Sequence, residues 1–126
     1  MGLILADTSV WVDHIRKAEP ALMQLLGAER LLIHPLVVGE IALGNHPNWD
    51  RALARLRGLP AVAPMSDDQL YELVREHAWQ GSGLGIVDAH LLAVVARRVD
   101  IRLWTRDKRL AKAAQRLDRL WREKEA

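Results

Sequence analysis

The stretch Leu3-Ile4-Leu5-Ala6-Asp7-Thr8-Ser9 constrains the chain more than any other. Its small and aliphatic residues run without a polar break, which fits a short strand buried on both faces. A carboxylate and two hydroxyls follow, and then a helical pattern. Thr8 and Ser9 are expected to cap that helix, because a hydroxyl oxygen can accept an orphan amide of the first turn. Asp7 is therefore expected at the carboxyl end of a central strand, the edge at which open α/β sheets bind ligands. A second role is open to it, that of helping to cap the helix.

The chain has 126 residues, half of them apolar, so a single compact domain over residues 1–126 with a sizeable core is expected. The absence of cysteine excludes disulfides and thiolate metal sites, and suits a reducing compartment. No apolar run approaches membrane-spanning length, and the N-terminus lacks the basic flank and cleavage site of a signal peptide. A cytoplasmic location without membrane contact is the resulting expectation. Charge is unevenly placed. Residues 1–96 carry 7 Lys+Arg against 11 Asp+Glu, a net of −4, whereas residues 97–126 carry 11 against 5, a net of +6. This asymmetry is compatible with nucleic-acid contact, and equally with a solvated basic helix face.

The pattern predicts helices over 10–17, over 19–27 with Pro20 in the first turn, and over 36–44 after His34-Pro35. A strand is expected at Arg30–His34 between the last two, and a short helix over 49–57 with Asn48 as cap and Gly58 as stop. Ala61-Val62-Ala63 reads as a weak third strand between two prolines. Ser66 and Gln69 have the spacing of a capping box, opening a helix to about Gln80. After the glycine loop Gly81–Gly85 come the most regular helical pattern, 86–99, a strand over 100–105, and a helix over 107–117. Residues 118–126 read as helix or frayed tail. Strands alternating with helices give an α/β fold with a mainly parallel sheet of four to five strands, flanked by helices on both faces.

Asp7, Glu40, Asp88 and Asp107 stand out by position. Asp7 and Asp107 follow strands, and Asp88 falls in the first turn of the helix after the glycine loop. Glu40 is the only Asp, Glu, Lys or Arg between Arg30 and Asp50, within Val37-Val38-Gly39-Glu40-Ile41-Ala42-Leu43. Burying it unpaired would be costly, so either it reaches the surface or a cation meets it. Each of the other three can be explained singly as a helix cap. Clustered at one sheet edge, the four would repel one another unless protons or a cation intervened. All-oxygen ligands at a partly hydrated site suit Mg²⁺ or Mn²⁺ better than zinc.

The chain resembles the PIN-domain ribonucleases, specifically the VapC-type toxins of bacterial toxin–antitoxin pairs. The carriers are Ile4-Leu5-Ala6-Asp7-Thr8-Ser9-Val10-Trp11, His34-Pro35-Leu36-Val37-Val38-Gly39-Glu40-Ile41, Gly85-Ile86-Val87-Asp88-Ala89-His90-Leu91-Leu92-Ala93 and Leu103-Trp104-Thr105-Arg106-Asp107. They occur in the family's order and span nearly the whole chain. The resemblance implies a Mg²⁺- or Mn²⁺-dependent endoribonuclease acting on RNA, homodimeric and inhibited by a cognate VapB-type antitoxin. It carries the acidic site onto Asp7, Glu40, Asp88 and Asp107, with Ser9 and Thr105 as hydroxyl support. The family closes with a further short strand, and the charged ending of this chain departs from that pattern.

On this reading Asp7 and Asp88 hold the metal directly and Asp107 directly or through water, while Glu40 orients the attacking water or accepts its proton. Arg97, Arg106 and Arg109 are expected phosphate contacts, and Trp79 a candidate for stacking a base. His14, His34 and His90 are expected to pack or face solvent. Three rivals remain. A phosphatase using Asp7 as nucleophile would want a second carboxylate at position 9, which is Ser; a receiver module would want paired acids after the first strand; an idle interaction domain would not need all four acids.

Overall fold

The computed structural model describes residues 2–123. Strand β1 (Leu3–Ala6) is followed by α1 (Thr8–Arg16), α2 (Pro20–Gly27) and β2 (Leu31–Leu32). Then come α3 (Pro35–Leu43), α4 (Trp49–Arg57), α5 (Asp67–His77), α6 (Ile86–Arg97), β3 (Ile101–Trp104) and α7 (Lys108–Arg116). The sheet order is β2-β1-β3, and both pairings are parallel. Ile4 lies opposite Leu31 and Arg102, and Ala6 opposite Trp104. With β1 in the middle, the chain winds first toward one edge and then back across to the other. Right-handed crossovers then put the connecting helices on opposite faces. The crevice at such a reversal opens at the carboxyl ends of the strands.

The uninterrupted apolar run of β1 follows from this central place. Ile4, Leu5 and Ala6 are buried beside Leu31, Leu32, Ile101, Leu103 and Trp104. Helix α6 closes the core with Leu91, Leu92 and Val95, and also faces a smaller cluster on α5 formed by Leu70 and Leu73. Ser66 accepts from Gln69 N–H, and the Gln69 side chain accepts from Ser66 N–H, so the expected capping box is formed.

The expected four to five strands are three among the described residues, with a single parallel bridge at each edge. Ile33 pairs with Ala61 and Leu103 with Leu120. Pro60 and Pro64 confine the 61–63 segment to one bridge, because proline donates nothing to a ladder. At the other edge Leu103 N–H donates to Arg119 O at 2.7 Å and Trp121 N–H to Leu103 O at 2.8 Å. The closing segment is thus extended around Leu120 rather than helical, and the expectation for residues 124–126 lies outside the described residues.

Several helix ends also differ from expectation. Helix α5 stops at His77, where Ala78 takes a left-handed conformation (φ 56°), and α6 stops at Arg97. Asn48 does precede α4, yet it is left-handed (φ 55°) and makes no side-chain cap. Gly27 ends α2, but the left-handed turn beyond it falls on Glu29.

Candidate active site

Asp7 sits where β1 ends and α1 begins, and it, not Thr8 or Ser9, is the N-cap of α1. One oxygen, Oδ1, accepts from Val10 N–H at 3.2 Å and from Ser9 Oγ–H at 2.5 Å. The other accepts from the Thr105 hydroxyl, and Asp7 N–H donates to Trp104 O at 3.0 Å, so the ends of β1 and β3 are tied together. Burial pushes the Asp7 carboxyl above the usual carboxylate range, and the Ser9, Thr105 and Val10 donors work against that rise. Both roles open to Asp7 in the sequence are realised at once: it caps a helix and faces the sheet crevice.

Around it the structure gathers the other acids. Asp107 caps α7 by accepting from Leu110 N–H at 2.9 Å, and its own N–H donates to Thr105 Oγ1 at 3.0 Å. Asp88 lies half-buried in the first turn of α6. Its carboxyl is pushed up to about 6, first by burial and then by the negative charges of Asp7, Asp107 and Glu40. Glu40 takes the surface alternative. Only Val37 and Ile41 of α3 are fully buried, and Glu40 lies on the exposed face, where it accepts from the Thr8 hydroxyl. Gly39 shares this open face with Glu40.

None of the four acids joins an ion pair among the described residues, so no protein cation offsets their mutual repulsion. The donor set is hard oxygen throughout, which fits Mg²⁺ or Mn²⁺. The side chains are not closed into a cage, and among the described residues no three acids converge tightly enough to grip an ion as they stand. Each carboxylate oxygen has two lone pairs. Asp7 can therefore keep its hydroxyl donors and still face a cation, with water completing the shell, as hydrated Mg²⁺ prefers.

Ser9 and Thr105, singled out from the sequence, both donate to Asp7. Thr8 was missed as a partner of Glu40, although its hydroxyl immediately follows Asp7 in the chain. The basic candidates separate. Arg97 lies in the last turn of α6, at the opposite end of that helix from Asp88. Arg106 donates to Asp13 at 2.7 Å, Glu19 at 2.8 Å and Glu123 at 2.6 Å, so its guanidinium is already committed to carboxylates. Its backbone N–H donates to Ser9 Oγ at 3.2 Å, which links this ion-pair hub to the Asp7 network. Arg109 donates to Gly83 O at 3.1 Å.

The histidines pack, as expected. His34 is fully buried and caps α3 by accepting from Leu36 N–H at Nδ1, 3.0 Å away. Burial, helped by His90, lowers its pKa to about 4, so it is neutral. The His90 ring lies 6.0 Å from it. His14 accepts from Glu19 N–H at 3.0 Å.

Comparison with known proteins bears on the family and the fold. The PIN domain family model matches residues 4–116. Over 111 residues the chain is 45% identical to Ribonuclease VapC32 of Mycobacterium tuberculosis (strains CDC 1551 / Oshkosh and ATCC 25618 / H37Rv), covering 88% of this chain and 90% of that protein. In fold it is similar to the DNA-bound VapBC structure from Salmonella typhimurium, with TM-score 0.68 and 15% identity over 95% of this chain and 96% of that one. PAE2754 from Pyrobaculum aerophilum gives TM-score 0.59 and 18% identity over 93% and 90%. A family model covering most of the chain and a relative of such identity show the family: the chain belongs to the PIN-domain family, in its VapC-type ribonuclease branch.

Proposed function

We propose that this chain is a metal-dependent endoribonuclease, working as a single domain in the cytoplasm and serving as the toxin of a type II toxin–antitoxin pair. The observation that carries this reading is that Asp7, Asp107 and Glu40 lie near enough to help burial push the Asp88 carboxyl up to about 6, with no ion-pairing cation on any of the four among the described residues. Asp7, Asp88 and Asp107 would hold Mg²⁺ or Mn²⁺. When bound, such an ion lowers the pKa of coordinated water and offsets negative charge building on the phosphate oxygens. Ser9 and Thr105 hold Asp7 in one orientation through their hydroxyls. Glu40, exposed and held by Thr8, orients the attacking water or takes its proton as the oxygen bonds to phosphorus and the P–O bond to the leaving ribose oxygen breaks.

The partner reading rests on a different surface. A groove of about 580 Å³ between α1, α2 and α4 has an apolar floor that includes Trp11, Ile15, Met23 and Leu26, and basic groups including Lys17 and Arg55. An amphipathic antitoxin helix with acidic flanks suits such a groove. Trp49, at the start of α4, is 41% exposed and donates to Ala42 O at 3.0 Å. An antitoxin Arg reaching the four carboxylates would bind them as a planar, permanently charged fork. The relative named VapC32 is a ribonuclease and the Salmonella structure is a VapBC assembly, both consistent with these roles. Exposed Leu43, Ile86 and Val99 are consistent with a homodimer.

The test is incubation of purified, antitoxin-free protein with total RNA, with and without Mn²⁺. Cleavage is expected only with metal. Asp7→Asn and Asp88→Asn are expected to lower it by more than the roughly 10–100-fold that losing an outer-shell partner of a metal costs, with circular dichroism unchanged. Near wild-type cleavage by either variant would sink the site assignment.

A further inference from the structure

Both segments that carry site acids continue into the walls of a second cleft. The glycine loop leads into α6 and Asp88, and α7 leads away from Asp107. Between them lies a cavity of about 430 Å³ lined by Trp79, Ser82, Leu84, Arg109, Lys112 and Arg116, among others, with no acid in its lining. Arg109, Lys112 and Arg116 are all exposed, and none joins an ion pair among the described residues. At i, i+3 and i+7 they form one stripe along α7, opposite buried Leu110 and Ala114. The stripe runs about 10 Å along the helix axis, away from the acidic site.

The cleft is built rather than accidental. Gly83 is left-handed (φ 82°), and a Cβ there would come within 2.8 Å of the Arg109 guanidinium. Arg109 lies flat on that glycine and donates to its carbonyl, which fixes the loop against α7. At the other end the His77 and Trp79 rings stack, with centroids 5.1 Å apart and planes at 16°. An aromatic platform beside a run of cations is the pairing that single-stranded nucleic acid requires: stacking for a base and charge for successive phosphates.

We propose that this cleft seats the single-stranded RNA segment adjoining the scissile phosphate, with Lys112 and Arg116 on its phosphates and the His77–Trp79 pair stacking a base. Arg109 is a positioning residue that shapes the wall. The inference rests on the nuclease reading for what the RNA is bound for, but binding can be measured without cleavage.

The experiment titrates a labelled single-stranded RNA oligonucleotide in EDTA over a series of salt concentrations. The proteins are wild type, the double variant Lys112→Ala/Arg116→Ala, His77→Ala, and Arg51→Ala/Arg57→Ala as a charge-matched double change at exposed residues of α4. For single strands each phosphate contact contributes about 0.7 to the slope of log K against log salt, so the double variant should lose about 1.4. It should also bind about tenfold or more weakly near physiological salt. His77→Ala should weaken binding while keeping the slope, and Arg51→Ala/Arg57→Ala should match wild type. With Mn²⁺ present, the double variant should raise KM more than it lowers kcat.

An unchanged slope and affinity in the double variant would overturn the proposal. So would preference for a duplex of the same sequence, or occupation by polyglutamate with no RNA binding, which would assign the cleft to an acidic protein segment. RNA binding that depends on the stripe without any cleavage would keep the cleft and sink the nuclease reading. Cleavage indifferent to the stripe would do the reverse.

Discussion

Two carboxylate clusters meet at adjacent residues, Arg106 and Asp107, and they are handled in opposite ways. Around Arg106, Asp13, Glu19 and Glu123 share one guanidinium, which is also 5.7 Å from the Trp104 ring centre. Its pKa is raised, first by the Glu19 hydrogen bond, and the Glu19 carboxyl is lowered by the same bond. Around Asp107 no cation meets the four acids: Asp7 and Glu40 accept from hydroxyls and Asp7 and Asp107 from backbone amides, and the carboxyls of Asp7 and Asp88 are raised. The first cluster stabilises the fold. The second is held against its own repulsion, which is the signature of a group arranged for a ligand rather than for the chain itself.

The largest effect is expected from breaking the hub. Arg106→Met would leave three carboxylates without their cation and loosen the turn whose N–H holds Ser9. The side chains are 25–43% exposed, so solvent reduces the roughly 3–5 kcal/mol typical of a buried broken pair. About 2–3 kcal/mol of stability should be lost in urea unfolding, and less in high salt. A loss that does not depend on salt would mean that packing on Trp104, rather than ion pairing, holds the hub.

A smaller effect is expected from Thr105→Val. This change removes one donor from the buried Asp7 carboxylate and the acceptor of Asp107 N–H. Leaving such groups unpaired costs about 1–3 kcal/mol. Thr105→Ser should recover most of it. If Val is tolerated without loss, the hydroxyl is not what steadies Asp7.

The smallest effect should have the opposite sign. Asp88→Asn removes one repelling charge, so in EDTA at neutral pH the variant should be more stable than wild type by up to about 1 kcal/mol, given solvent screening. The pH dependence sharpens this. Asp88 is raised to about 6, so its proton stabilises the fold at low pH and that contribution is lost as pH rises through about 6. Asp7, also raised, acts in the same direction. His34, lowered to about 4, acts in the other, losing its contribution as pH falls below the ordinary histidine value. Wild type alone would show these trends partly cancelled. The difference in melting temperature between Asp88→Asn and wild type isolates the acid, and should grow with pH. A flat difference would mean that Asp88 does not feel its neighbours.

What the sequence made legible follows the same division. The Asp7, Asp88 and Asp107 positions were readable because each directly follows or opens an element whose pattern is local: an apolar strand, a glycine loop before a helix, a strand before a helix. The Ser66–Gln69 box was readable for the same reason. The Arg106 hub was not, because its partners Asp13 and Glu19 are 93 and 87 residues away in the chain and nothing local marks them. The Leu120 bridge was hidden by its charged flanks, since one backbone pairing leaves no alternation to read. Glu40 was flagged by its isolation among apolar residues, but whether it was buried or exposed depended on which face of α3 meets the core.

The central claim is that the acidic cluster is completed by a divalent cation. Melting in EDTA and in increasing free Mn²⁺, for wild type and Asp88→Asn side by side, tests it most directly. An ion that binds only the folded protein stabilises it by about 2.7 kcal/mol at a hundredfold excess over Kd. Wild type should therefore rise steadily in melting temperature with Mn²⁺, while Asp88→Asn starts higher in EDTA and gains much less. Wild type melting identically in millimolar Mn²⁺ and in EDTA, or both proteins gaining equally, would contradict the account.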